Sequence, residues 1–195
     1  WSLLHTPSPS GFEQEIQKVV DKRAKKFADE TYKDVHGNLF AVVNPKGSIK
    51  IMLAGHCDQI GFMVKHVHND GYLHIDAIGG IDPTVVPGTR VKVLSENGQF
   101  DGIIGYKPAH LVSVADRGTK LTLKELCVDL GMTGEEAKKL ITIGDPVVFF
   151  PTVTELANSR ISAPGCDNRV GSSTITEAAP IFSDKLGGKN HDVAC

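Results

Sequence analysis

His56 and Asp58 are the residues whose types and spacing first suggest chemistry, in the stretch Ala54-Gly-His-Cys-Asp-Gln-Ile-Gly-Phe62. Ile51 to Ala54 form an apolar run that predicts a buried strand, and Gly55 marks its end, where the backbone is expected to turn sharply. Ligands and metals gather at the strand ends of open α/β sheets, so a histidine and a carboxylate there are site candidates by position. Residues two apart in extended backbone face the same side, which points the His56 imidazole and the Asp58 carboxylate to one place and turns Cys57 away. A neutral imidazole suits zinc, and a nearby carboxylate can fix its surroundings or hold a metal-bound water. His-x-Asp by itself also occurs as an ordinary loop after a strand, so the pair needs context. Context comes from Ile161-Ser-Ala-Pro-Gly-Cys-Asp-Asn-Arg-Val-Gly171. Asp167 follows a Pro-Gly turn and precedes a helical pattern, a junction where the positive end of the helix dipole favours a carboxylate. A carboxylate so placed can bridge two cations.

His56-Cys-Asp-Gln-Ile-Gly-Phe62 resembles the His-x-Asp-Glu-Ile-Gly-Phe segment of the tetrahedral, deblocking and glutamyl aminopeptidases, and Asp167-Asn-Arg-Val-Gly171 resembles their Asp-Asp/Asn-Arg-Val-Gly segment. Ser8-Pro-Ser-Gly-Phe-Glu13, Gly102-Ile-Ile-Gly105 and Ile143-Gly-Asp-Pro-Val-Val148 extend the likeness over nearly the whole chain. The resemblance implies a metal-dependent aminopeptidase carrying two divalent ions, zinc or cobalt. It makes His56 a terminal ligand of one metal and Asp167 the bridge, and it assigns Asp58 to the catalytic set as the carboxylate that orients the site. The metals would polarise the peptide carbonyl and receive the free α-amine of a peptide substrate. The implied fold is α/β, a zinc-peptidase-like sheet with flanking helices, incomplete here and interrupted by an inserted small β-barrel. Residues 1–62 and 159–195 would form the catalytic domain, and residues 63–158 the barrel. Such barrels serve subunit assembly, so the resemblance implies a homo-oligomer, with dimers building a larger, tetrahedral dodecameric particle.

The resemblance also implies a Glu-Glu pair supplying base and ligand, a further Asp ligand and a distal His ligand, all downstream of the strand that opens near His191. The chain stops at Cys195, ahead of that point. The expected active site is therefore half present, with two ligands where catalytic zinc commonly has three from protein. Glu135-Glu136 opens a helix inside the insertion and reads as helix-dipole chemistry on a solvated face. Glu177 and His191 lack the matching context. Gln59 stands where the family usually has Glu, which alters the charge around the site. An inactive fragment or assembly module is the alternative reading. A glycoside hydrolase is a second, since relatives carry cellulase- or endoglucanase-like labels, but such enzymes work with two flanking carboxylates and no metal pair.

These residues need elements to hold them. Phe12, Ile16, Val19, Val20, Ala24 and Phe27 recur at helical spacing behind a Ser8 cap, predicting an amphipathic helix of about five turns. Three strands follow between Thr31 and Leu53, parted by His36-Gly-Asn38 and Asn44-Pro-Lys-Gly47 turns. Short alternating runs at 63–67, 72–77, 89–94, 99–104 and 146–150 predict a closed or nearly closed barrel. Residues 122–131 and 133–141 read as helical pieces within it. His66, His68 and His74 could share a hairpin face and bind a metal, but they read as the polar face of a barrel lacking a carboxylate partner. His110 reads as structural or near the site entrance. A helix over 170–182, kinked or ended by Pro180, should stand behind Asp167.

Composition bounds the rest. With 195 residues, 41% of them hydrophobic, the chain is globular and can bury a core. A net charge of −2 with no basic tract argues against nucleic acid or a membrane surface as partner. No apolar run suits a membrane helix and no signal-peptide layout opens the chain, so a cytoplasmic location is expected. Four cysteines without Cys-x-x-Cys spacing fit reduced, buried thiols.

Overall fold

The computed structural model describes residues 1–107, 120–185 and 191–194, with side chains through residues 1–107 and 120–181. His110, the Leu186-Gly-Gly188 stop and the His191 side chain lie outside the described residues. Two compact units form, Trp1–Gln59 with Thr152–Cys195, and Ile60–Pro151. The sequence expectation cuts the chain after 62 and after 158.

The first unit is built on a sheet in the order β1 (Glu30–Lys33), β2 (Leu39–Val43), β12 (His191–Ala194), β3 (Ile49–Met52). β12 runs antiparallel to β2 and parallel to β3, with Val193 opposite both Val43 and Ile51. Turn chemistry sets the β1–β2 link: the Asp34 carboxylate accepts from the backbone N–H groups of His36 (3.0 Å) and Asn38 (2.9 Å). Helix α1 (Ser2–His5) packs on α2 (Gln14–Ala24), and both touch α4 (Cys166–Lys185). Ile16 and Ala24 are buried on the inner side of α2, and Ala179 of α4 meets Val43, Phe27 and Leu53. A short hairpin, β10 (Thr154–Leu156) with β11 (Arg160–Ser162), leads into α4.

Three expectations in this unit are corrected. The apolar strand before His56 is not buried: Ile49, Ile51 and Met52 are 52%, 45% and 71% exposed. β3 is the edge of the sheet among the described residues, so nothing described covers its far side. Apolar composition predicts a strand, whereas burial depends on what packs against it. Helix α2 has eleven residues rather than five turns, and its N-cap is Glu13, with no side-chain cap bond. Ser8 and Ser10 are engaged elsewhere, at the end of β3. Helix α4 also runs through Pro180 to Lys185.

In the second unit six strands close a barrel among the described residues, in the order β4 (Gly61–Val67), β5 (Leu73–Ile78), β8 (Leu126–Asp129), β7 (Gly98–Tyr106), β6 (Arg90–Ser95), β9 (Pro146–Phe149). Alternation fills it: Phe62 and Val64, Leu73 and Ile75, Val91 and Val93, and Leu126 and Val128 are all buried, at two-residue steps. Burying each such side chain is worth about 1.5–3 kcal/mol. The helical reading of 122–131 is corrected by β8. Only Leu123–Glu125 turns, as a short 3₁₀ segment, before β8 pairs between β5 and β7. Helix α3 (Gly134–Leu140) starts as expected, with Thr133 and Glu136 in a reciprocal capping box.

Gly134 sits where a Cβ would lie 1.9 Å from the carbonyl oxygen of Asn69. Gly134→Ala is therefore expected to push the start of α3 off the β4–β5 turn, costing about 1–3 kcal/mol. Thermal unfolding checks this against Gly80→Ala, whose Cβ would meet nothing within 4 Å.

Candidate metal centre

β3 ends just before the loop that carries His56, and α4 passes close beside it. A Cβ on Gly55 would lie 3.1 Å from Ile175 Cδ1 and 3.2 Å from the Ser172 nitrogen. Gly55 thus serves a close approach of strand end and helix, where the sequence suggested a sharp turn. The Ser172 hydroxyl then donates to the His56 carbonyl at 3.0 Å, tying helix to loop.

Asp167 reaches the same place from the helix start. The backbone leaves helical angles at Asp167 (φ −87°, ψ 109°) and Asn168 (φ −120°, ψ 37°), and the peptide bond between them is cis. Regular helix follows from Arg169, with the Asn168 side-chain oxygen accepting from the Gly171 N–H at 3.0 Å, as an N-cap does. The Asp167 side chain is 97% exposed.

The structure brings His56, Asp58 and Asp167 together around one ring. Asp58 Oδ1 lies 2.8 Å from His56 Nδ1, while Asp167 Oδ1 lies 3.3 Å from His56 Nε2. Asp58 and Asp167 therefore play different parts. An ionised Asp58 only accepts, so it holds a proton on Nδ1, and Nε2 is the nitrogen that faces Asp167. Asp58 Oδ2 in turn accepts from the Ser10 hydroxyl at 2.5 Å. Desolvation works to raise the Asp58 pKa, but the bonds from Ser10 and His56 outweigh it and hold the carboxyl below its ordinary value. Cys57, between His56 and Asp58, is half-buried; desolvation and the nearby Glu13 and Asp58 charges push its thiol up.

Behind this cluster is a residue to which the sequence reading gave no role. Arg169 is 1% exposed, and its hydrogen bonds among the described residues go to uncharged oxygens. Its guanidinium donates to the Ser8 hydroxyl (2.8 Å), the Cys57 carbonyl (3.4 Å), the Leu4 carbonyl (3.5 Å) and the Gln59 side-chain oxygen. Burial lowers its pKa, against the opposing influence of Cys57, Asp58 and Cys166. Ser8, fully buried, donates its own hydrogen bond to the Cys57 carbonyl at 2.7 Å. One cation thus fastens the N-terminal segment and the His56 loop to α4. The signal was present as Arg in Asp167-Asn-Arg and Ser in Ser8-Pro-Ser, but helix capping explained the serines equally well from spacing alone.

The donor spacing suits a divalent ion. Two donors each about 2.0–2.1 Å from a tetrahedral zinc stand about 3.3 Å apart, which is the separation of His56 Nε2 and Asp167 Oδ1. A carboxylate holding Nδ1 of a ligand histidine is the usual arrangement behind such a ring. Among the described residues no three His, Cys, Asp or Glu side chains stand ready to hold one ion. His56 and Asp167 thus fit as part of a ligand set. His56 and Asp58 also line a hollow of about 520 Å³ walled by Gln17, Val20, Leu53 and Ile175. Glu135, Glu136 and Glu177 are not part of this cluster: Glu136 caps α3, and Glu177 pairs with Arg23 at 3.1 Å.

Comparison with known proteins follows the same residues. A profile of the M42 glutamyl aminopeptidase family matches residues 37–192. The lysyl aminopeptidase of Pyrococcus furiosus is 36% identical over 182 residues, covering 91% of this chain and 52% of that protein. The crystal structure of a TET aminopeptidase from a marine-sediment Thaumarchaeota archaeon is similar with a TM-score of 0.92 at 29% identity, over 99% of this chain and 55% of the other. The TET1 peptidase of Pyrococcus horikoshii, described as assembling into a tetrahedron or a large octahedral shell, is similar with a TM-score of 0.84 at 28% identity, over 99% and 58%. The chain spans about half the length of the curated relatives it matches.

Proposed function

The chain belongs to the M42 glutamyl aminopeptidase family, and from that premise we propose that it carries the first part of the active site of a metal-dependent aminopeptidase. The observation that carries this reading is His56, whose Nε2 faces Asp167 at 3.3 Å while Asp58 holds the other side of the ring at 2.8 Å. His56 and Asp167 would hold divalent ions, zinc or cobalt, and the exposed Asp167 carboxylate has oxygens for two. Ions bound there supply Lewis-acid polarisation of a carbonyl and a water acidic enough to lose a proton near neutral pH. The chain's own residues do the positioning. Asp58 keeps the proton on Nδ1, so that Nε2 stays a lone-pair donor. Ser10 fixes the Asp58 rotamer, and Arg169 holds the loop that carries His56 and Asp58.

Asp58→Asn is expected to weaken zinc binding by about 10–100-fold, because the ring loses the acceptor that sets its tautomer and direction. Calorimetric titration with zinc measures this, and hydrolysis should recover when metal is raised.

The test of the activity is hydrolysis of aminoacyl-p-nitroanilides and their N-acetylated counterparts by the purified protein, before and after chelation and re-addition of zinc or cobalt. Metal-restored cleavage of free-amine substrates alone is the expected result. Cleavage indifferent to chelation, or equal on blocked substrates, contradicts the reading. The partial ligand set favours a second reading, an assembly module without turnover, which inability to bind zinc or cobalt would support. Glycoside hydrolysis has less support, since both oxygens of Asp58 are already engaged.

The proposal extends to organisation. The barrel, residues 63–158 in the sequence reading and Ile60–Pro151 as a compact unit, would serve assembly, and the remainder would be the catalytic domain. Homo-oligomers acting on peptides are the corresponding partners, with dimers building a tetrahedral dodecamer; the shell-forming P. horikoshii neighbour supports this. A cytoplasmic location suits free thiols at Cys57, Cys127 and Cys166. No helix among the described residues is long and apolar enough to cross a membrane.

A further inference from the structure

We propose that His66, His68 and His74 form a second metal site, a tri-histidine site for a transition-metal dication such as zinc, on the outer face of the barrel. It uses none of the residues of the first site.

The three rings form a nearly equilateral triangle, with centroids 6.2 Å (His66–His68), 6.1 Å (His66–His74) and 6.1 Å (His68–His74) apart. Local structure places each one. The β4–β5 register shifts between Val64 and His66, and this bulge turns Lys65 and His66 both outward, between buried Val64 and Val67. His66 then stands directly opposite His74 across the hairpin. His68 begins the connecting turn, closed by His68 N–H to the Tyr72 carbonyl (2.9 Å) and Gly71 N–H to the His68 carbonyl (3.1 Å).

That turn is pinned from below. A Cβ on Gly71 would lie 2.0 Å from the Met132 carbonyl oxygen, and Asn69 bonds the Lys138 ammonium through its side chain. The scaffold is therefore held in place beneath the exposed His66 and His68 and the half-buried His74, as a binding constellation on a rigid hairpin requires.

The sequence reading set these histidines aside for want of a carboxylate. The structure supplies it: Asp70 Oδ1 lies 2.6 Å from His68 Nδ1. An ionised carboxylate only accepts, so the Nδ1 proton is held there and Nε2 is left as a donor to metal. As they stand, no three of these side chains reach bonding distance of one point. Centroids 6.1 Å apart lie about 3.5 Å from the middle of the triangle, whereas zinc at about 2.0–2.1 Å from a ring nitrogen lies about 3.2 Å from the ring centroid. The centroid spacing therefore leaves room for one ion, and binding needs side-chain rotations that turn a nitrogen of each ring toward it. Three neutral imidazoles with one open position suit zinc, copper or nickel better than magnesium or calcium.

The test is titration of the whole protein with zinc in a background carrying His56→Ala and Asp167→Asn, so that the first site does not contribute. The background should still bind about one zinc per chain. His74→Ala should lower that affinity by at least about 100-fold, and Asp70→Asn by about 10–100-fold. Cobalt in place of zinc should give a visible absorption band that His66→Ala abolishes. These side chains lie on the outer face, and circular dichroism verifies that the variants fold. The proposal is overturned if the background binds no zinc at micromolar concentration, or if its binding survives His66→Ala and His74→Ala unchanged. Either result leaves the aminopeptidase reading untouched.

Discussion

His56→Ala and Asp167→Asn are each expected to lower kcat/KM for free-amine peptide substrates by about 10³-fold or more, equivalent to about 4 kcal/mol of transition-state stabilisation. Asp167→Asn is the more informative of the two. It keeps the size of the side chain and removes the charge through which one residue could serve two cations. The His56 ring is already directed by Asp58 at 2.8 Å, so His56→Ala removes a donor from a prepared position rather than from a mobile chain. Glu177→Gln provides the control, because Glu177 is exposed, pairs with Arg23 and lies outside the cluster. Steady-state kinetics at saturating metal, with the fold verified by circular dichroism, measure both losses. If both variants retain full kcat/KM, the assignment of these residues fails.

Arg169→Met is expected to cost about 3–5 kcal/mol of stability. The methionine fills much of the volume but leaves the Ser8 hydroxyl, the Gln59 side-chain oxygen and the Leu4 and Cys57 carbonyls without their shared donor. At roughly 2–4 °C per kcal/mol for a chain of this size, the melting temperature should fall by roughly 6–20 °C. Arg169→Lys should recover only part of this, since a single ammonium cannot reach acceptors spread around a planar fork. Thermal unfolding followed by circular dichroism reads both. A fall of less than about 2 °C for Arg169→Met would mean that the bonding network is incidental.

The sequence shows the barrel clearly because alternation is a local property: Phe62 and Val64, or Val91 and Val93, announce a buried face whatever their neighbours. β8 was not legible for the same reason. Leu123, Leu126 and Leu130 stand at helical steps while Leu126 and Val128 alternate, and only pairing with β5 and β7 decides between the two. The edge position of β3 depends likewise on partners distant in sequence. In the site, His56, Asp58 and Asp167 stand out by type and spacing, and the structure gathers them around one imidazole. What spacing does not give is the division of labour, with Asp58 on Nδ1 and Asp167 on Nε2. Nor does it give Ser10 behind Asp58 or Arg169 beneath the loop, since those bonds span 48 and 112 residues of sequence. Asp70 went unrecognised as a partner of His68, although the pair repeats the spacing of His56 and Asp58, because Asn69-Asp-Gly71 reads first as a turn.

The central claim is that His56 and Asp167 are metal ligands, and anomalous diffraction at the zinc edge from crystals of the zinc-loaded protein tests it most directly. The account predicts an anomalous peak bonded to His56 Nε2 and to an Asp167 carboxylate oxygen, with Asp58 still on Nδ1. Zinc-loaded, catalytically active crystals whose anomalous peaks touch neither side chain would contradict it.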